Sequence, residues 1–417
     1  MMKILYLAHR IPYPPNKGDK IRSFNQVQYL AEKYQLDLVC LADNPADLKY
    51  QTNLEDICHR VAVFPMSPRF GKVKGGFNLL AGGTISVKYF YQKDVQQCVN
   101  RWIEEHTYEA VVCFSSVMAE YLFHCPDPHI QSKLNASMER PNDRRPQLIM
   151  DFCDVDSDKW SQYAADAVFP LNQIYQLENK RLLAYEARIN RLFDHSILVT
   201  DSEADLFRRL YLAAERISVI RNGVDFQYFS PTADFEKIDK DHPVLVFTGA
   251  MDYHANVDGV QWFCSEMWAK IRELIPDCQF FIVGSNPTPA VKDLAHLPGV
   301  TVTGFVDDIR SYYDMADVCV VPLRLARGVQ NKVLEAMSMG NAVVTTAKVN
   351  EGIKAEDDKQ LLIADDVEKF IRNIAFLLEN SDKRRELSET AREFVVDNFD
   401  WDRNMVSLNE LLTGTRR

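Results

Sequence analysis

The stretch that most limits how this chain can fold is DVCVVPLRLARGVQNKVLEAMSMGNAVVTT, Asp317 to Thr346. Val318 to Pro322 is a short apolar, β-branched run of the kind buried on both faces in a parallel sheet, and Pro322 ends it. A loop carrying Arg324, Arg327 and Gly328 follows. Val329, Val333, Leu334, Ala336 and Met337 then recur at helical spacing, and Gly340 stands where a helix closes on a glycine. Ala342 to Thr346 reads as the next strand, so this is one strand–helix–strand unit of a parallel α/β sheet.

Lys332 and Glu335 are three apart and share a helical face near the helix start. A helix N-terminus offers free N–H groups and partial positive charge, and a lysine beside it adds a point charge suited to phosphate. Glu335, one turn deeper, can accept hydrogen bonds from both hydroxyls of a ribose. The same two residues also read as an ordinary i,i+3 surface pair, and spacing alone leaves both readings open.

At 417 residues the chain exceeds what one core usually serves, so two domains are expected. The strand–helix alternation agrees. Lys3 to Ala8 reads as a strand, followed by the proline-rich loop HRIPYPPNKGDKIRSF and a helix from about Asp19 to Tyr34. In that loop Gly18 permits a tight turn, and Asp19 serves as an N-cap or first-turn acid. Lys20 and Arg22 read either as contacts for a charged group or as a solvated helix face. Ala110 to Phe114 is a strand ending at Ser115 and Ser116, and residues 126–146 read as a loop. Leu148 to Phe152 is another strand, with Asp151, Asp154 and Asp156 clustered at its carboxyl end, where α/β enzymes place ligands. Asp154 and Asp156 suit capping of the next helix or contact with an acceptor better than a metal, since Asp400-Trp401-Asp402 repeats the pattern elsewhere.

The turn signal Arg221-Asn222-Gly223 and the polar stretch 228–242 suggest a boundary. The expected organisation is a first domain over 1–227, a linker over 228–242, a second domain over 243–397 and a final helix over 398–417.

Net charge is −11, which argues against general nucleic-acid binding and leaves room for a local basic surface. The odd number of cysteines, scattered through apolar runs, matches a reducing compartment and neither a disulfide framework nor a zinc site. No signal peptide and no eighteen-residue apolar span is present, so a cytoplasmic protein is expected. Residues 67–93 hold Arg69, Lys72, Lys74, Lys88 and Lys93, no acid, and interleaved aromatics. That mixture suits peripheral attachment to the inner face of a membrane or a lipid-linked acceptor, and equally a surface loop followed by a helix. Dinucleotide, Walker, zinc and nucleophile-elbow motifs are absent.

The runs GVQNKVLEAMSMGNAVVTT and RNGVD resemble retaining glycosyltransferases of the GT-B fold, the large group called family four. Within it they are most similar to sugar transferases associated with PEP-CTERM/exosortase exopolysaccharide clusters. The resemblance implies two doubly wound Rossmann-like domains facing a cleft, the last helix crossing back to the first. It implies a hexosyl-type transfer from a nucleoside diphosphate sugar to a glycan or lipid-linked acceptor, with retention and without a metal or other cofactor. Glu335 matches the glutamate used on the ribose and Lys332 a lysine used on the diphosphate. Arg327 stands where the family has a second glutamate, and Ala250 where relatives have an arginine after Gly249, so charge stabilisation shifts onto Lys332, with Arg327 beside it. Gly249, Ala250, Gly284, Phe305, Val306, Gly328 and Val329 fall at the family's donor-binding positions. Gly18, Asp19, Lys20, Arg22, Ser115, Ser116, Asp154 and Asp156 fall on the acceptor side. A nucleotide-sugar epimerase, a phosphorylase on the same fold and a non-catalytic sugar- or lipid-binding partner are the rival readings.

Overall fold

The computed structural model describes residues 1–66, 82–135 and 145–414. The chain divides into two compact units, Met1–Ile220 with Met405–Arg417, and Arg221–Asn404.

In the first unit seven strands form one sheet: β1 (Lys3–Ala8), β2 (Gln35–Ala42), β3 (Arg60–Pro65), β4 (Ala110–Phe114), β5 (Gln147–Cys153), β6 (His195–Leu198) and β7 (Ile217–Val219). Their order is β3-β2-β1-β4-β5-β6-β7, and neighbours run parallel. Central strands covered on both faces must be apolar throughout, and Ile4 to Ala8 and Ala110 to Cys113 are fully buried. Leu5, Leu7, Val39, Val111 and Leu148 share a core with Trp102, Tyr121 and Phe207. Winding reverses between β1 and β4, where Ala8 lies beside Phe114.

The helix Gly18–Lys33 begins at Gly18 itself, and a Cβ there meets nothing within 4 Å. The expected need for glycine at this turn is therefore not structural. Residues 126–146, expected to be a loop, include the helix Pro128–Leu134, started by Pro128 and capped by Asp127. Arg69, Lys72 and Lys74 lie outside the described residues; Lys88 sits in the helix Ile85–Phe90 and Lys93 opens the next, Lys93–Glu105.

The second unit holds a six-stranded parallel sheet: β8 (Val244–Thr248), β9 (Gln279–Val283), β10 (Val300–Gly304), β11 (Val318–Val321), β12 (Ala342–Thr345) and β13 (Leu362–Ile363). The order β10-β9-β8-β11-β12-β13 reverses between β8 and β11. The helix Asn331–Ser338 connects β11 to β12. Its end is a Schellman closure: Gly340 has φ +75°, its N–H bonds Met337 O at 3.0 Å, and Asn341 N–H bonds Ala336 O at 2.9 Å.

The polar stretch 228–242 belongs to this unit. Ser338 Oγ donates to Phe229 O at 2.6 Å, Ser311 Oγ donates to Glu236 O, and Lys240 pairs with Asp317 at 2.8 Å. Among the described residues no helix is long and apolar enough to cross a membrane.

Candidate functional site

In open α/β sheets ligands collect outside the carboxyl ends of the strands where winding reverses. In the second unit that place is the end of β8, facing the helix Asn331–Ser338. No side chain caps this helix at Gln330; Val333 N–H turns back to Gln330 O at 2.9 Å, and the N–H groups before it have no acceptor within the helix.

The floor is backbone. A Cβ on Gly284 falls 1.7 Å from Gly249 O, so only glycine fits at that crossing. A Cβ on Gly249 falls 2.7 Å from Asn256 Nδ2 and 3.1 Å from Lys332 Nζ. The space beside Gly249 is thus taken by the Asn256 amide and the Lys332 ammonium. Gly328 is held similarly from the other side, where a Cβ on Gly352 lands 2.0 Å from Gly328 O.

Lys332 Nζ donates to Asn256 Oδ1 at 2.5 Å and lies 4.5 Å from the centre of the Phe247 ring. Asn256 Nδ2 donates to Ala250 O at 2.8 Å, which fixes the amide and aims its oxygen at the ammonium. Burial disfavours the charged amine and draws Lys332 down to about 7, with Glu335 opposing in part. Glu335 Oε2 accepts from the hydroxyl of Tyr313 at 2.9 Å, and that hydroxyl pairs with Thr248 Oγ1 at 2.8 Å. Burial raises the Glu335 carboxyl, against the Tyr313 bond and the Lys332 charge. A cation and an oriented acceptor therefore sit one turn apart on a helix start, the arrangement suited to a phosphate and a diol.

Of the other residues expected here, Gly249, Ala250 and Gly284 directly follow β8 and β9, and Val329 is buried. Gln330 Nε2 donates to Arg327 O at 2.7 Å, and the Arg327 side chain is half-buried. Phe305 is 71% exposed with Val306 half-buried, just past β10. Asn256, Phe247, Thr248 and Tyr313 complete the arrangement, and of these Asn256, Phe247 and Tyr313 were not singled out as contacts from sequence. Asn256 and Tyr313 are 76 and 22 residues from their partners, so no local pattern joins them.

The first unit places its candidates differently. Arg22 is fully buried: Nε and Nη2 meet Asp151 at 3.0 and 2.8 Å, and Nη1 donates to Ile220 O at 2.8 Å. Gln26 Nε2 donates to the same carboxylate at 2.5 Å while accepting from Tyr6 at 2.7 Å. Arg22 is a structural pin with no face left for an acceptor. Lys20, also buried, pairs with Asp47 at 2.6 Å rather than facing solvent. Asp19 accepts from Arg10 at 2.6 Å and faces His9 at 3.4 Å. Burial opposes ionisation of Asp19, yet His9 and Arg10 hold its carboxylate well below the usual range. Ser115 has φ +77° and both Ser115 and Ser116 are buried.

Neither Asp154 nor Asp156 caps the helix Asp156–Asp166 as expected. Its first N–H groups go to carboxylates from elsewhere, Val155 N–H to Glu203 at 2.8 Å and Ser157 N–H to Glu186 at 3.0 Å. Among the described residues no three His, Cys, Asp or Glu side chains are grouped to hold a metal.

Known proteins resemble this geometry in part of the chain and in its fold. Residues 242–380 match the family described as glycosyl transferases group 1. Over 414 residues the chain is 22% identical to an uncharacterized 44.6 kDa protein in the cps region of Klebsiella pneumoniae, covering 96% of this chain and 97% of that protein. Among solved structures it is similar to a sucrose-phosphate synthase from Thermosynechococcus elongatus, at TM-score 0.69 and 16% identity over 100% of this chain and 99% of that one. It is also similar to Anabaena Alr3699/HepE in complex with UDP, at TM-score 0.66 and 15% identity over 99% and 100%. The two parallel sheets with their helices are the GT-B fold, and Lys332 and Glu335 both lie inside the matched segment.

Proposed function

We propose that the protein is a glycosyltransferase that takes a sugar from a nucleoside diphosphate donor, held at the β8–β11 reversal of its group 1 domain. The observation that carries this is the Lys332–Asn256 and Glu335–Tyr313 pairing on one helix start inside that domain. Lys332 and the free helix N–H groups take the diphosphate, and Glu335 takes the ribose. Gly249 and Gly284 give the donor a flat backbone to lie on, and the backbone near Phe305 and Val306 faces the base. Because HepE is described in complex with UDP, uridine is the first base to try.

The catalytic work assigned to Lys332 is stabilisation of charge on the departing diphosphate. Loss of one such charge-assisted bond costs roughly 1.5–3 kcal/mol, about ten- to a hundredfold in rate. Arg327 adds positive charge in the loop that leads into this helix. The acceptor is a glycan or lipid-linked sugar of cell-surface polysaccharide synthesis, which the cps-region relative supports. Transfer with retention, by same-face attack in which the diphosphate takes the acceptor proton, follows from the resemblance of residues 328–346.

A thermal-shift panel of UDP, GDP, ADP, CMP and TDP on wild type and Glu335→Gln tests the site. At 100 times the dissociation constant a ligand adds about 2.7 kcal/mol. One diphosphate raising the wild-type midpoint, with the rise lost in Glu335→Gln, is the expected result. No shift from any of them refutes the donor site. Consumption of donor with no acceptor present points instead to an epimerase.

A further inference from the structure

The segment Arg221-Asn222-Gly223, a turn signal in the sequence, belongs to a tight corner of the second unit. The backbone at Gly223 is not left-handed, and glycine is needed there for space. A Cβ on it falls 2.8 Å from Phe399 O and 2.8 Å from Trp401 N, so only glycine fits. Val224 N–H donates to Phe399 O at 2.9 Å, and Asn404 Nδ2 donates to Asn222 O at 3.1 Å. Main chain and one amide of the helix Trp401–Thr413 thus close the corner, and Asn222 within it is buried. The Asn222 side chain reaches out of it: Nδ2 donates to Asn331 Oδ1 at 3.3 Å, across 109 residues of sequence.

Asn331 opens the helix that carries Lys332 and Glu335. That helix has eight residues and no side-chain cap at Gln330. So short a helix has little hold of its own on its first residues, where helices fray. Its far end is fixed by the Schellman closure at Gly340 and by Arg392, whose guanidinium donates to Ser338 O. At its near end the Asn222 amide takes the part that a cap takes elsewhere and holds the first residue from outside the helix. The N–H groups of Asn331 and Lys332 have no acceptor within the helix, and a diphosphate meets them only if the first turn keeps its place. Misplacement by about 1 Å costs up to about a hundredfold in rate. A single neutral bond to the half-buried Asn331 adds little to the fold, whereas the same bond sets where the first turn sits.

Building on the donor site proposed above, we infer that Asn222 is a positioning residue for the donor diphosphate, acting through Asn331 on the first turn of the site helix. Titration calorimetry of the full chain with UDP, GDP, ADP and TDP selects the diphosphate that binds, and its parent nucleoside is measured beside it. Asn222→Ala weakens diphosphate binding roughly three- to tenfold and leaves the nucleoside unchanged, since one hydrogen bond is lost and only the phosphates meet the first turn. Asn331→Ala removes the same bond from its half-buried end and gives the same loss, which keeps the test open should Asn222→Ala fail to fold. The double variant binds no more weakly than either single one. Wild-type affinity in either single variant overturns the role of Asn222 while the donor site stands. So do equal losses for diphosphate and nucleoside, which mark a general loosening, and additive losses in the double variant, which separate the two residues. A wild type that binds none of the four diphosphates removes the donor site, and the role of Asn222 with it.

Discussion

Donor binding should weaken steeply as pH rises, and Lys332 sets the slope. Without a ligand its amine sits near 7, well below the ordinary 10.5, because burial disfavours the charged form. A diphosphate beside Nζ supplies the missing countercharge and returns the amine toward its ordinary value. Only the protonated lysine gains that interaction, so above pH 7 binding must take up a proton. With the bound value well above 9, raising pH from 7 to 9 lowers affinity roughly fiftyfold, about 2.3 kcal/mol. Titration calorimetry with a nucleoside diphosphate in buffers of different ionisation enthalpy measures both the slope and the proton count. Lys332→Arg keeps its charge throughout and should flatten the profile. Lys332→Met should bind weakly at every pH, and its residual slope reports the phosphate's own ionisation near about 6. Unchanged wild-type affinity from pH 7 to 9, or the same slope in Lys332→Met, refutes the argument.

Three further outcomes follow from the geometry. Asn256→Ala frees the ammonium from its amide partner and should weaken nucleotide binding about tenfold while shifting the pH profile, a change that mere loss of packing does not produce. Arg22→Ala leaves Asp151 buried without its cation and should cost roughly 3–5 kcal/mol in denaturant unfolding of the first unit. Glu186 is raised by burial to about 8 from 4.5, so the folded unit holds a proton there that the unfolded chain releases, and its stabilising contribution is lost as pH climbs through that window. Glu186→Gln, which still accepts from Ser157, should therefore melt higher than wild type at pH 9 and about equally at pH 4; an identical shift at both pH values would remove Glu186 as the cause.

The alternation of strands and helices was legible because strands buried on both faces read as apolar runs, and Val318–Val321 and Ala342–Thr345 show it. The helix ending at Gly340 was legible because its closure is written within a few residues. Lys332 and Glu335 share one helix face, so local spacing revealed them as a pair. Their partners were hidden, since Asn256 and Tyr313 meet them only when β8 and β11 become neighbours. Arg22 misled for a related reason: a basic residue on an amphipathic helix looks solvated until the buried Asp151 carboxylate, 129 residues away, is placed opposite it. The caps from Glu186 and Glu203 were likewise invisible, because acids adjacent in sequence are the default expectation at a helix start.

The contact between Gly249 and Gly284 limits how donor preference can change. Main chain has no alphabet, so substitution cannot adjust that surface without first breaking the crossing. Any library meant to retune this protein toward another nucleotide or sugar should leave positions 249 and 284 fixed. Diversity belongs at Phe305, Val306 and Arg327, where the side chains are exposed or half-buried and no crossing has to be preserved.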